Sequence, residues 1–243
     1  MNKLNGWRFL LAAATTLSLA ACAPGQSVLP DDPENEPTNG SLEQPAPSVP
    51  QADEPTPAAG DSASILAKYD HLDPNRQVPT DLLKKAVLYY DQNYSKIANK
   101  TYLSVIDFKK KSSLPRFFII NMNTGAVWAI RTAHGKNSDL NHDGYADSFS
   151  NTSGSNQSSL GVYRAAETYS GSHGLSLRLD GLSSTNSNAR ARAIVIHGAD
   201  YVQESNVIQG RSWGCPAVSM GNRTEVINRL KGGSIIYAGL SGQ

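Results

Sequence analysis

Two stretches in the C-terminal part of the chain decide the fold: IVIHG at residues 194–198 and GRSWGCP at residues 210–216. The first begins with a short apolar, β-branched run that is typical of a buried strand. His197 follows this run, at the predicted end of the strand. The second is a glycine-flanked turn that carries Cys215. Cysteine is mostly a protonated thiol at pH 7, and histidine, which titrates near that pH, is its usual base. The two stretches therefore predict a thiol nucleophile and its base.

The N-terminus is typical of an exported protein. Lys3 and Arg8 form a basic start, and residues 9–19 are an apolar run too short to span a bilayer. The run ends in LAAC, which resembles the lipobox of bacterial lipoproteins. We expect residues 1–21 to be a signal peptide and Cys22 to be acylated, which anchors the chain in the cell envelope. Ala23 favours the outer membrane, facing the periplasm; an ordinary signal peptide is the alternative.

The cysteine count strengthens the case for Cys215. The chain has 2 cysteines, and acylation would use Cys22, so Cys215 has no cysteine left to pair with. An unpaired thiol in an exported protein is exposed to oxidation, which a structural role does not explain well. A buried cysteine that acts as a small hydrophobe is the alternative. The flanking Gly214 and Pro216 favour a catalytic turn.

A tether is expected between the anchor and the folded part. Residues 23–61 hold 9 of the 13 prolines and 8 acidic residues, and they contain no lysine or arginine. Such a segment cannot bury enough apolar surface to fold, and proline keeps it extended. We expect residues 22–61 to be a disordered spacer that reaches roughly 100 Å.

Residues 62–243 are long enough for one domain with a core, and this part carries a net charge of +7. The charge favours an anionic polymer as partner, or serves solubility alone; no pattern typical of nucleic-acid binding is present. A helix is predicted over 81–99, capped by Thr80, and another over 222–230, capped by Asn222 with Glu225. Strands are predicted at 102–108, 116–121, 126–132, 161–165, 175–179, 193–196 and 234–237. The pattern predicts a mainly β, α+β domain with a helical N-terminal part.

A family resemblance rests on three segments: SSLGVY at 158–163, IVIHGADYV at 194–202 and GRSWGCPAV at 210–218. Together they resemble the murein L,D-transpeptidase catalytic-domain family of YkuD-like enzymes. The resemblance implies a β-sandwich-type mixed sheet with short helices, peptidoglycan stem peptides as substrates, and no required cofactor. It implies Cys215 as nucleophile and His197 as general base.

The resemblance also implies supporting roles around this pair. Backbone N–H groups near Trp213 and Gly214 would line the oxyanion, and Ser212 would orient the turn. A second set is expected to contact substrate: Arg211, through a stem-peptide carboxylate, together with Gly198, Tyr201, His134 and His173.

Two metal sites are open alternatives. His134, His173 and His197 would form a three-histidine zinc site, although their spacing matches no metal motif. The segment DLNHDGYAD at 139–147 matches the first nine positions of a calcium loop. It predicts either a structural calcium held by Asp139, Asn141, Asp143, Tyr145 and Asp147, or an Asp/Asn-rich turn without metal.

Three functions remain open at this point. The first is an L,D-transpeptidase that uses a Cys215 thioester. The second is a murein hydrolase on the same fold, either an L,D-carboxypeptidase or an amidase. The third is a non-catalytic lipoprotein that binds the cell wall.

Overall fold

The computed structural model describes residues 26–31 and 59–242, and the side chains from residue 62 onward in the second range. The predicted signal peptide, the acylation site Cys22 and most of the predicted tether lie outside the described residues. In the described part, no helix is both long and apolar enough to cross a membrane.

The helices of the described residues are α1 (Ala59–Ala67), α2 (Thr80–Gln92) and α3 (Arg223–Leu230), with short 3-10 turns at Tyr94–Lys96 and Lys136–Ser138. The predicted helix over 81–99 is real but ends at Gln92. Its end has a local cause: the Asn93 side chain donates to the Tyr89 carbonyl at 3.0 Å, which competes with a further helical turn.

The two predicted side-chain caps were wrong. Pro79 occupies the N-cap position of α2, so Thr80 is already helical. Asn222 does precede α3, but its side chain makes no capping hydrogen bond. Its amide donates to Glu204 instead, and Glu225 pairs with Arg229 at 2.8 Å.

The strands are β1 (Tyr102–Asp107), β2 (Phe117–Asn121), β3 (Val127–Ile130), β4 (Gly161–Gly171), β5 (Gly174–Gly181), β6 (Val195–Ala199), β7 (Val218–Ser219) and β8 (Ile235–Gly239). Among the described residues they form one sheet in the order β3-β2-β1-β8-β4-β5-β6-β7. The β1–β8 and β6–β7 pairs are parallel and the others antiparallel, so the sheet is mixed. The predicted mainly β fold class is confirmed.

Both faces of the sheet are covered by apolar residues. In β2, Phe117 and Ile119 point to one face and Phe118 and Ile120 to the other, and all four are buried. The first face packs against α3, and the second packs against α2. A strand buried on both sides reads as a continuous apolar run, which is what residues 117–120 show.

Part of the predicted tether lies against the domain. Val28 forms a parallel bridge with Ile208, and the Asp31 carboxylate pairs with Arg211 at 2.7 Å. Residues 26–31 therefore make specific backbone and charge contacts with the domain.

Candidate active site

Strand β6 carries the predicted base, and the predicted nucleophile lies beside the start of this strand. His197 is the third residue of this strand, which is buried along its whole length. The Val195 N–H donates to Sγ of Cys215 at 3.5 Å, and Sγ lies 3.7 Å from the Ala193 carbonyl oxygen. The structure thus places the sulfur beside the start of the strand that carries the imidazole.

Strand pairing fixes the position of the cysteine turn. β7 runs parallel to β6, with Gly198 opposite Val218, so the residues just before β7 run alongside the first half of β6. On the other side, residues 133–136 hold the turn. Ser212 N donates to the His134 carbonyl at 2.8 Å, and Ala133 N donates to Ala217 O at 2.9 Å. Cys215 itself is half-buried.

The hydrogen bonds of His197 determine its tautomer. Nδ1 lies 3.1 Å from the Gly198 carbonyl oxygen. A carbonyl oxygen only accepts, so Nδ1 carries the hydrogen, and in the neutral ring Nε2 keeps its lone pair. Burial, and next the charge of His173, lower the pKa of His197 to about 4. The side chain is therefore a neutral proton acceptor at pH 7.

Two aromatic rings contact His197. The ring of His173 stacks on it, with centroids 4.1 Å apart, and Tyr201 meets it edge-on at 6.5 Å. His173 occupies the tight connection between β4 and β5, where Arg223 donates to its carbonyl at 3.4 Å. Gly198 leaves room for Arg223, because a Cβ at Gly198 would lie 2.8 Å from Cδ of Arg223. These predicted substrate-binding residues surround the imidazole.

A groove of about 500 Å³ runs beside this cluster. His173, Gly198 and Tyr201 line it, together with Asp31 from the N-terminal segment. Three of the predicted substrate-contacting residues therefore do share one groove.

The turn around Cys215 is held by its own side chains. The Ser212 hydroxyl donates to the Cys215 carbonyl at 2.7 Å and accepts from Gly214 N at 3.1 Å. Ser212 therefore bridges the two ends of the turn. The Gly214 N–H is occupied by this bond, which does not fit the predicted oxyanion role. Trp213 is half-buried at the same turn.

Gly214 is required by geometry. Its φ is +122°, a conformation that residues with a Cβ rarely adopt. A Cβ there would lie 2.7 Å from the Gln157 carbonyl oxygen and 3.3 Å from Nη2 of Arg192. Ala193, whose carbonyl faces the cysteine sulfur, also has a positive φ of 54°. Backbone with positive φ thus lies on both sides of Sγ, and it is strained at Ala193, which has a Cβ.

Sequence reasoning missed Arg192. Its guanidinium donates to the carbonyls of Ser150 at 2.6 Å and Gln157 at 2.5 Å, which ties the 150–159 loop to the cysteine turn. Burial lowers the pKa of Arg192, and the charges of Tyr163 and Cys215 act in the opposite direction. The cation is therefore within electrostatic reach of the thiol. The sequence signal was the basic run ARAR at 189–192, directly before the strand.

His134 takes a structural position instead of lining the groove. It is 1% exposed, and Arg116 donates to its Nδ1 at 2.8 Å. Its Nε2 then carries the hydrogen and donates to the Asp139 carboxylate at 3.1 Å. Burial, together with the charge of Arg116, lowers the pKa of His134 to about 4. Both ring nitrogens are used inside the protein, and a substrate contact for this residue stays a prediction.

The 139–147 loop is held by its own hydrogen bonds. The Asp139 carboxylate accepts from the N–H groups of Asp143 at 3.1 Å and Gly144 at 2.9 Å, and the Asp143 carboxylate accepts from the Tyr145 N–H at 2.9 Å, as in an Asx turn. In the described residues, no three or more His, Cys, Asp or Glu side chains are grouped to hold a metal ion. The three-histidine zinc alternative therefore has no geometric support, and calcium at Asp139, Asn141, Asp143, Tyr145 and Asp147 stays a prediction.

No curated protein matches the chain. Among solved structures, the LD transpeptidase LdtMt1 in complex with imipenem is similar at 14% identity and a TM-score of 0.37, covering 57% of this chain and 59% of that one. Bd1075 of Bdellovibrio bacteriovorus is similar at 15% identity and a TM-score of 0.34, covering 59% of this chain and 48% of that one. The chain thus spans under two thirds of the length of each.

The family comparison covers the whole site. The model of the L,D-transpeptidase catalytic domain, YkuD_2, matches residues 74–238, which include β1 to β7, α3, His197 and Cys215. This stretch is well over half of the chain. The protein belongs to the family of L,D-transpeptidase catalytic domains.

Proposed function

We propose that this protein is a cysteine L,D-transpeptidase that acts on peptidoglycan stem peptides through a thioester on Cys215, with His197 as general base. The observation that carries the proposal is the placement of Sγ beside β6, together with a tautomer of His197 whose Nε2 is free to accept a proton. A thiol needs such a neighbour, because the thiolate is the nucleophile.

The first step is acylation. Nε2 of His197 takes the thiol proton, and Sγ attacks the carbonyl carbon of the third stem residue. The S–C bond forms while the C–N bond to the terminal D-alanine breaks, and the imidazolium returns its proton to the leaving amine. An amine of a neighbouring stem then resolves the thioester to give a cross-link, whereas water gives hydrolysis.

Two features of the site support this chemistry. Arg192 places a cation within reach of the sulfur, which favours the thiolate. Ser212 and Gly214 hold the turn in the conformation that exposes Cys215. We place the oxyanion donors among the backbone N–H groups of this turn other than that of Gly214.

Acylation by a carbapenem tests the proposal. We expect incubation with imipenem to add the mass of the drug to the protein, with peptide mapping to Cys215 and no adduct on Cys215→Ala. His197→Gln should react at least about a hundredfold more slowly, because general-base catalysis typically contributes that much. A well-folded wild-type protein that forms no adduct would favour the non-catalytic wall-binding alternative.

Product analysis separates the two enzymatic outcomes. Incubation with tetrapeptide muropeptides should yield cross-linked dimers if an amine is the acceptor. New tripeptide monomers alone would favour the carboxypeptidase alternative, and release of monomers from purified dimers would favour a hydrolase of cross-links.

We further propose that Cys22 is acylated and anchors the protein in the envelope, facing the periplasm and in the outer membrane if the cell is Gram-negative. The proposal is supported by the basic start, the short apolar run and the LAAC sequence. Mass spectrometry of the mature protein checks it, since an unmodified thiol at Cys22 contradicts an acyl anchor.

A further inference from the structure

The N-terminal segment 26–31 lies extended along residues 206–211. The Leu29 N–H donates to the Ile208 carbonyl at 2.9 Å, and the Ile208 N–H donates to Ser27 at 2.9 Å. Further along, the backbones touch: a Cβ on Gly210 would lie 1.8 Å from the Pro30 carbonyl oxygen. Gly210 therefore allows a close approach of the segment that no larger residue would permit.

The segment ends in an ion pair at Arg211. Nε of Arg211 donates to Oδ1 of Asp31 at 2.9 Å, Nη2 donates to Oδ2 at 2.7 Å, and the backbone N–H donates to Oδ1 at 3.1 Å. Nε2 of His142 lies 3.8 Å from the same carboxylate. Burial raises the pKa of Asp31, but the hydrogen bonds and charge of Arg211 outweigh it, so the pKa is lowered overall.

Arg211 is fixed independently of the segment. Its Nη1 donates to the Asp139 carbonyl oxygen, and its side chain is mostly buried. An arginine held in this way presents a fork of donors that matches a carboxylate. The arrangement is an anion site with three N–H donors, and the occupant comes from a part of the chain 180 residues away.

The anion site borders the groove beside the imidazole of His197. Pro30 and Asp31 line that groove together with His173, Gly198 and Tyr201. His173 and Tyr201 are the two rings that contact His197. A carboxylate held where Asp31 now lies would therefore enter the groove that these two rings line.

We propose that Arg211 is a carboxylate-binding site of the substrate groove, which Asp31 of the chain's own N-terminal segment fills until a carboxylate of a peptide substrate displaces it. The inference rests on the proposed function for the identity of the substrate. Stem peptides carry several free carboxylates, and the segment competes with them because it is part of the same chain. Two backbone hydrogen bonds, both to Ile208, join the segment to the domain beside this ion pair.

Binding to a chemically inactive enzyme tests the proposal. In the full-length chain with Cys215→Ala, calorimetry measures the affinity for an isolated disaccharide-tetrapeptide. Asp31→Asn should tighten binding by up to about fivefold, the contribution of one partly exposed ion pair. Asp32→Asn removes the same charge one residue later and should leave the affinity unchanged. In an Arg211→Gln background, Asp31→Asn should have no effect, and binding should be weaker than in the parent.

Hydrogen exchange gives a second measurement that does not depend on a variant. Saturating muropeptide should accelerate exchange at the amides of Leu29 and Ile208, because displacement of the segment breaks both backbone bonds. Unchanged exchange at these amides, or an affinity that Asp31→Asn leaves equal or weakens, overturns the proposal. Carbapenem acylation of Cys215 in the wild-type chain tests the proposed function separately. If acylation is normal but Asp31→Asn leaves the affinity unchanged, only the proposal for Arg211 is rejected. If Asp31→Asn tightens binding but Cys215 is not acylated, only the proposed enzymatic function is rejected.

Discussion

The imidazole of His173 lies nearly parallel to that of His197, with centroids 4.1 Å apart and planes inclined by 27°. The charge of His173 disfavours a positive charge on His197 and so helps to lower the pKa of that ring. The contact holds the flat face of His197 in place while leaving the ring edge with Nε2 available. The connection between β4 and β5 thus acts on the base from outside its own strand.

His173→Phe should move the acid limb of Cys215 acylation to higher pH. The side chains facing His197 are His173 and Tyr201, and burial with the His173 charge lowers the pKa of His197 to about 4. Wild-type acylation should therefore stay near its neutral rate until the pH approaches 4, since the neutral ring is the base. Phenylalanine keeps the stacking and removes the charge of His173, so the pKa of His197 rises toward its ordinary value. The acid limb, which follows this pKa, then lies at higher pH.

The pH profile of imipenem acylation measures this shift, and proton NMR titration of the His197 ring reports it directly. His71→Gln is the control, because His71 contacts Met122 on another part of the domain. A His173→Phe profile that overlays the wild type would show that stacking alone, without charge, is what His173 provides.

Gly214→Ala should abolish acylation and lower the melting temperature more than Gly154→Ala does. Both glycines have positive φ, +122° and +74°, so an alanine costs about 1–3 kcal/mol of strain at either position. Only at Gly214 does the added Cβ also meet a backbone oxygen, that of Gln157 at 2.7 Å, whereas at Gly154 it meets open space. Thermal unfolding and acylation of both variants separate strain from the clash; equal losses would contradict this account of the turn.

Arg192→Gln should shift alkylation of Cys215 by iodoacetamide to higher pH. The substitution removes the cation that favours the thiolate, and the midpoint of the alkylation profile should rise. Arg192→Lys keeps the charge but loses the fork that binds the Ser150 and Gln157 carbonyls. The alkylation midpoint of Arg192→Lys should therefore stay close to that of the wild type, whereas its melting temperature should fall. If both variants shifted the midpoint equally, the role of Arg192 would lie in holding the loop.

Sequence periodicity predicted most of the strands of the sheet but not how long each strand is. Each of the seven predicted strands is present, because apolar and β-branched runs are buried on one or both faces. β4, predicted to end at residue 165, continues to Gly171. Its second half, with Glu167 exposed, has no apolar alternation, and only pairing with β5 keeps it extended. β7 was missed because two residues carry no periodicity.

The site was predictable where its chemistry is local and not where it depends on contacts distant in sequence. Cys215, His197 and Ser212 stand in short motifs, and the structure brings them to β6 and the adjoining turn. His134 looks the same in sequence as His173, yet one is buried against Arg116 and Asp139 and the other stacks on the base. Asp31 and Arg211 are 180 residues apart in sequence, so no local sequence pattern predicts that they pair.

The contact of the N-terminal segment with the domain also limits the distance between Cys22 and the domain. If Cys22 carries the acyl chains, nine residues of extended chain separate it from Asp31, which is at most about 30 Å. Without the contact of Asp31, the distance between Cys22 and Ala59 is limited only by the contour length of the residues between them, roughly 120 Å. Displacement of Asp31 by substrate would then let the domain work in layers of the wall farther from its membrane. Occupancy of one arginine would thereby be coupled to the depth at which the enzyme acts.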